Sequence, residues 1–110
     1  NLYADEHLAM AKEAAIKSSV LLKNNNNILP LSKTTKIAVI GPLANKPREQ
    51  LGTWSFDGDG KFTKTPINAF QSSNTNYTFV EGLSYSRDKS TTEFSKAIAA
   101  AKQADVVLFI

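Results

Sequence analysis

The chain has 110 residues, of which 42% are hydrophobic and 21% charged, the proportions of an ordinary globular domain and of neither a disordered nor a fibrous chain. Thirteen Lys and Arg against ten Asp and Glu leave a formal charge of +3, but the basic residues are scattered from Lys12 to Lys102, without the cluster that nucleic-acid binding requires. No run approaches the ~20 apolar residues of a membrane span, and the lack of cysteine excludes disulfides and thiolate metal sites.

From Asp5 to about Ser19, the residues Leu8, Ala11, Ala14, Ala15 and Ser18 recur at spacings of three and four, marking one face of a helix. Glu13 and Lys17 form an i,i+4 pair in the favourable order on the opposite face. Val20-Leu21-Leu22 reads as a short buried strand, and Asn24 to Asn27 as a turn, because Asn tolerates left-handed backbone. Lys36 to Ile40 is apolar on both faces, the pattern of a parallel strand covered by helices on either side. Gly41-Pro42 ends it, Arg48 to Leu51 reads as a helical turn, and Gly52 to Lys64 as an irregular loop.

Thr65-Pro66 is an N-cap followed by Pro at the first helical position, opening a short helix through Phe70. A strand is expected at Tyr77 to Val80. Ser90-Thr91-Thr92-Glu93 has the form of a capping box, and the helix it opens places Phe94, Ala97, Ile98 and Ala101 on one face. Asp105 to Ile110 is a continuous apolar strand. The alternation predicts an α/β fold: the opening half of a three-layer α/β/α sandwich with a mainly parallel sheet, cut short, whose three later strands are parallel neighbours. Residues 1–31 form a linker helix and short strand leading into the domain, and residues 32–110 its first part.

Few side chains stand out chemically. The Ile40-Gly41 turn lacks the further glycines of a dinucleotide fingerprint, and Pro42 removes an amide donor, so no cofactor is expected. His7, the one histidine, has no ligand set around it and reads as a helix-start surface residue. Asp57 and Asp59 flank Gly58 without the remainder of a Ca²⁺ loop and read as turn-forming acids, so no metal is expected. Asn76-Tyr77-Thr78 fits a glycosylation sequon that falls within a strand. The more informative stretch is Gly52-Thr53-Trp54-Ser55-Phe56-Asp57-Gly58, whose aromatics in a polar loop call for a packing partner or a ligand. Trp54 then either plugs an interface with another domain or borders a carbohydrate pocket with Phe56 and Asp57, the indole stacking on a sugar face and the carboxylate accepting hydroxyl hydrogen bonds.

The succession of His7-Leu8-Ala9, Glu13-Ala14-Ala15, Ser19 to Asn24, Leu29-Pro30-Leu31, Lys36 to Ala44 and Leu51 to Ser55 resembles glycoside hydrolase family 3, especially its bacterial periplasmic β-glucosidases. Glu81-Gly82 and Ala99 to Val107 continue the resemblance over essentially the whole chain. In that family a barrel domain supplies an aspartate nucleophile and a following α/β sandwich supplies a glutamate acid/base. The resemblance places this chain at the linker helix and opening half of the sandwich, with neither catalytic carboxylate within it. It implies a retaining mechanism for the parent enzyme, the barrel and the remaining sandwich as partners, a β-glucoside or oligosaccharide as substrate, and a periplasmic or secreted location. The other function class left open is a noncatalytic α/β binding or interaction module.

Overall fold

The computed structural model describes residues 3–110. The chain divides into two compact units, residues 1–31 and 32–110. In the first, helix α1 (Asp5–Ser18) carries acidic Asp5 and Glu6 in its first turn and Lys17 in its last, the arrangement the helix dipole favours. Lys17 Nζ lies 2.7 Å from Glu13 Oε1, as the spacing predicts. His7 is exposed in the first turn, 3.8 Å from the Glu6 carboxylate.

Residues 20–22 are irregular, not the expected strand. Their side chains are 62–92% exposed, and every strand ladder among the described residues lies in the second unit. An apolar triplet does not make a strand without a neighbour to accept its backbone bonds. The following asparagines do form a turn, a 3₁₀ segment at Asn25–Asn27 in which Asn26 and Asn27 adopt left-handed backbone. Asn24 closes it by bonding both backbone groups of Leu29, donating from Nδ2 to the carbonyl at 2.9 Å and accepting from the amide at 3.0 Å.

The second unit is built on a three-stranded parallel sheet in the order β2-β1-β3. Strand β1 (Ile37–Ile40) sits between β2 (Tyr77–Val80) and β3 (Val106–Phe109), with Ile37 level with Tyr77 on one side and Val106 on the other. Its four residues are 0–7% exposed, which accounts for the absence of alternation in its sequence. Burial of its larger side chains stabilises the sheet by about 1.5–3 kcal/mol each. Asp105 sets the β1–β3 register, its carboxylate accepting from the Lys36 amide at 2.9 Å and its own amide donating to the Lys36 carbonyl at 2.9 Å.

Both crossovers are helical. Helix α2 (Pro66–Ser72) opens with the expected Thr65-Pro66 start, and Thr65 and Asn68 form a reciprocal capping box. Thr65 is 2% exposed, its hydroxyl satisfied by Asn68. Helix α3 (Phe94–Gln103) follows β2. The Phe70 ring of α2 lies 5.5 Å from the Tyr77 ring, whereas Thr78 borders a crevice with Ala100, Gln103 and Ala104. Successive strand residues face opposite ways, so the two helices cover opposite faces of the sheet.

The expected capping box of α3 does not form. Glu93, not Ser90, is the N-cap, and it makes no side-chain capping bond. Ser90 is drawn into an earlier turn: its amide donates to Asp88 Oδ1 at 2.9 Å and its hydroxyl pairs with Thr92 Oγ1 at 2.9 Å. Asp88 also accepts from the Ser84 amide at 3.0 Å. Strand β3 pairs with β1 among the described residues, and its Phe109 is 79% exposed.

Two outcomes check this account. Gly41, just past β1, has φ +136°, and a Cβ there would stand 1.9 Å from the Ile110 carbonyl oxygen. Gly41→Ala is expected to lower stability by about 2–4 kcal/mol in thermal unfolding, combining backbone strain with a clash against main chain. The amides of Ser90 and Ser84 hold the Asp88 carboxyl below its ordinary value of 3.8. A depressed folded pKa contributes stability above the unfolded value that is lost as pH falls through the folded one. Hydrogen exchange at the Ser84 and Ser90 amides should therefore show opening on acidification below about pH 4, and Asp88→Asn should abolish that pH dependence.

Candidate functional site

Parallel α/β sheets gather ligands beyond the carboxyl ends of their strands, at the point where strand order reverses. Here β1 is followed in space by β2 on one side and β3 on the other, so the reversal lies at the C-terminal end of β1. The long connection leaving that end, residues 41–65, carries Trp54, Phe56 and Asp57.

Its base is firmly tied. A 3₁₀ turn at Pro42–Asn45 buries Pro42 and Ala44, and a second spans Arg48–Leu51. Gln50 Nε2 donates to the carbonyls of Leu43 at 3.0 Å and Lys46 at 3.2 Å. The returning arm is fastened by Thr63, whose hydroxyl donates to the Pro47 carbonyl at 2.7 Å. Asp59 acts as the turn-forming acid its sequence context implies: Oδ1 accepts from the Lys61 amide at 3.0 Å, and Oδ2 lies 2.6 Å from Lys61 Nζ. This contact with Lys61 holds the Asp59 carboxyl below its ordinary range.

Between these ties the loop closes on itself. A Cβ on Gly58 would stand 2.2 Å from Ser55 Oγ and 2.8 Å from Leu51 Cδ1, so the loop folds back closely over Leu51 and a larger residue there would displace those two side chains. The tip then projects Trp54, 85% exposed, and Phe56, 83% exposed, with Asp57 exposed beside them. The anchored tip thus leaves two large apolar rings facing water. No group of three or more His, Cys, Asp or Glu among the described residues is placed to hold a metal.

Of the cavities that adjoin this end of the sheet, two include residues of the connection after β1. The larger, about 550 Å³, runs between α3 and the ends of β1 and β3, lined by Ile40, Gly41, Phe94, Ile98, Phe109 and Ile110 among others. Its walls are almost wholly apolar, which suits a packed side chain and not a hydroxylated ligand. The smaller, about 270 Å³, lies between the connection after β1 and the loop after β2, and collects Lys46, Glu49, Tyr85 and Arg87. Lys46 Nζ makes a 2.5 Å ion pair with Glu81, the first residue after β2. Sequence reasoning passed over this second group, which only the topology assembles. The available signal was the position of each residue just beyond the end of a parallel strand.

Residues 19–110 match the family model for the glycosyl hydrolase family 3 C-terminal domain. The chain is 40% identical over 103 residues to a probable exo-1,4-β-xylosidase of Aspergillus flavus, covering 91% of this chain and 12% of that protein. It is 32% identical over 126 residues to a periplasmic β-glucosidase of Salmonella typhimurium, covering 94% of this chain and 16% of the relative. The fold is similar to that of a β-glucosidase from Listeria innocua solved with isofagomine, with a TM-score of 0.83 and 31% identity over 98% of this chain and 15% of that one. The chain thus spans about one-eighth to one-sixth of the length of these relatives. No described helix is long and apolar enough to cross a membrane. On these matches, together with the parallel α/β sheet, the chain belongs to glycosyl hydrolase family 3, as part of its C-terminal domain.

Proposed function

We propose that this chain forms the opening part of the sandwich domain of a retaining β-glycosidase that releases terminal β-D-glucosyl or β-D-xylosyl residues outside the cytoplasm. The observation that carries the reading is the agreement in fold and sequence with a β-glucosidase solved with isofagomine. Kinship with both a β-glucosidase and xylosidases supports a pyranoside substrate class broader than glucosides alone.

In this reading the chain's task is positional. The sheet fixes the base of the β1 connection, and the connection presents Trp54, Phe56 and Asp57 to the sugar. An indole face offers C–H and π contact to a pyranose ring, while an exposed carboxylate accepts hydroxyl hydrogen bonds. The nucleophile and the acid/base belong to the barrel and to the rest of the sandwich. A retaining displacement needs two carboxyl groups about 5–5.5 Å apart, and no aspartate or glutamate of this chain is assigned to that pair.

Two outcomes test the reading. The isolated chain should not hydrolyse aryl β-glucosides or aryl β-xylosides above a blank, while the complete protein should hydrolyse at least one of them. In the complete protein, Trp54→Ala should lower kcat/KM by roughly 10- to 100-fold, equivalent to about 1–3 kcal/mol of transition-state binding. A reduced Tm with unaltered kinetics would instead make Trp54 an interface residue against the barrel.

A further inference from the structure

The cleft between the connection after β1 and the loop after β2 is a built feature on both sides. One wall is the segment from Leu43 to Glu49, held by the paired bonds from Gln50 to the Leu43 and Lys46 carbonyls. The other is the turn bearing Tyr85 and Arg87, closed by the Asp88 amide donating to the Tyr85 carbonyl at 3.0 Å and by the Asp88 carboxylate accepting from Ser84 and Ser90. Backbone held in this way loses little freedom when a ligand arrives.

The chemistry of the lining narrows the ligand. Tyr85, 59% exposed, provides an aromatic face and a hydroxyl. Arg87 and Lys46 donate and Glu49 accepts. Lys46 is paired with Glu81, and Glu49 offsets Arg87, so the cleft has no net charge to favour an anion. An aromatic surface surrounded by balanced donors and acceptors suits a neutral polyhydroxylated ring. The volume of about 270 Å³ is just below the usual range for drug-sized ligands, a size for a single sugar ring. Leu43 and Lys46 belong to the connection that also carries Trp54 and that leaves the C-terminal end of β1.

We infer that this cleft is an outer subsite for a sugar residue of a β-linked oligosaccharide, with Tyr85 as its stacking face and Arg87, Lys46 and Glu49 as hydroxyl partners. The inference rests on the glycosidase reading above and deepens it: Trp54 serves the sugars near the scissile bond, and Tyr85 and Arg87 serve one further out. Selectivity for chain length then resides partly in the loop after β2.

The test is equilibrium binding of two non-hydrolysable sulfur-linked β-1,4 series, gluco- and xylo-configured, to the complete protein, comparing the disaccharide with the tetrasaccharide. Tyr85→Ala and Arg87→Met should each weaken the tetrasaccharide of the preferred series about tenfold and leave the disaccharide unchanged. Lys46→Met with Glu81→Gln, which removes both charges of the pair, guards against a folding defect and should weaken the tetrasaccharide similarly at unchanged Tm. Equal affinity of variants and wild type for the tetrasaccharide, equal losses for both lengths, or no tetrasaccharide binding by wild type would overturn the subsite. The glycosidase reading fails separately, by absence of hydrolysis of any aryl glycoside.

Discussion

Everything in the second unit depends on burying β1 on both faces and both edges at once. Ala38 and Val39 are fully buried, and Ile37 and Ile40 nearly so. A strand in that position must have its backbone paired on both sides, since an unbonded buried amide or carbonyl is costly. The ladders to β2 and β3 meet that demand. Because both neighbours run parallel to β1, each connection has to recross the sheet, and α2 and α3 are those recrossings. Gly41 completes the arrangement by letting the end of β3 approach main chain to main chain.

Parallel pairing has a functional consequence: it places the C-terminal ends of all three strands at one rim. The connection after β1 and the loop after β2 therefore share that rim although they are distant in sequence. Short polar ties hold each of them, Gln50 and Thr63 for the first and Asp88 for the second. Rigid bases with exposed aromatic tips are what a binding surface requires, since the scaffold carries the cost of order before the ligand arrives. Trp54, Phe56 and Tyr85 are all more than half exposed in this chain, and the glycosidase reading gives each a ligand-facing role.

How much of this was legible in the sequence varied with how local the deciding physics was. Strand β1 was legible because four successive apolar residues ending at a Gly-Pro turn leave little alternative. The start of α2 was legible because Thr65-Pro66 specifies a cap and a first-turn φ without outside help. The start of α3 was misread: Ser90 has the right spacing to Glu93, but Asp88, two residues earlier, competes for it and wins. Residues 20–22 were misread for the opposite reason, since apolar content carries no information about whether a partner strand exists. The aromatic loop was recognisable from composition alone. The cleft bearing Lys46, Tyr85 and Arg87 was not, because neither segment has a motif and only the parallel register sets them side by side.

The central claim is that this sheet exists to carry the β1 connection to a glycoside. The most direct measurement is a crystal structure of the complete protein with a sulfur-linked β-1,4 oligosaccharide bound. The account predicts the Trp54 ring in van der Waals contact with a pyranose face, at about 4 Å between heavy atoms, with the Asp57 carboxylate at the same end of the ligand. An oligosaccharide bound in the active site with Trp54 and Asp57 far from every sugar ring would contradict it.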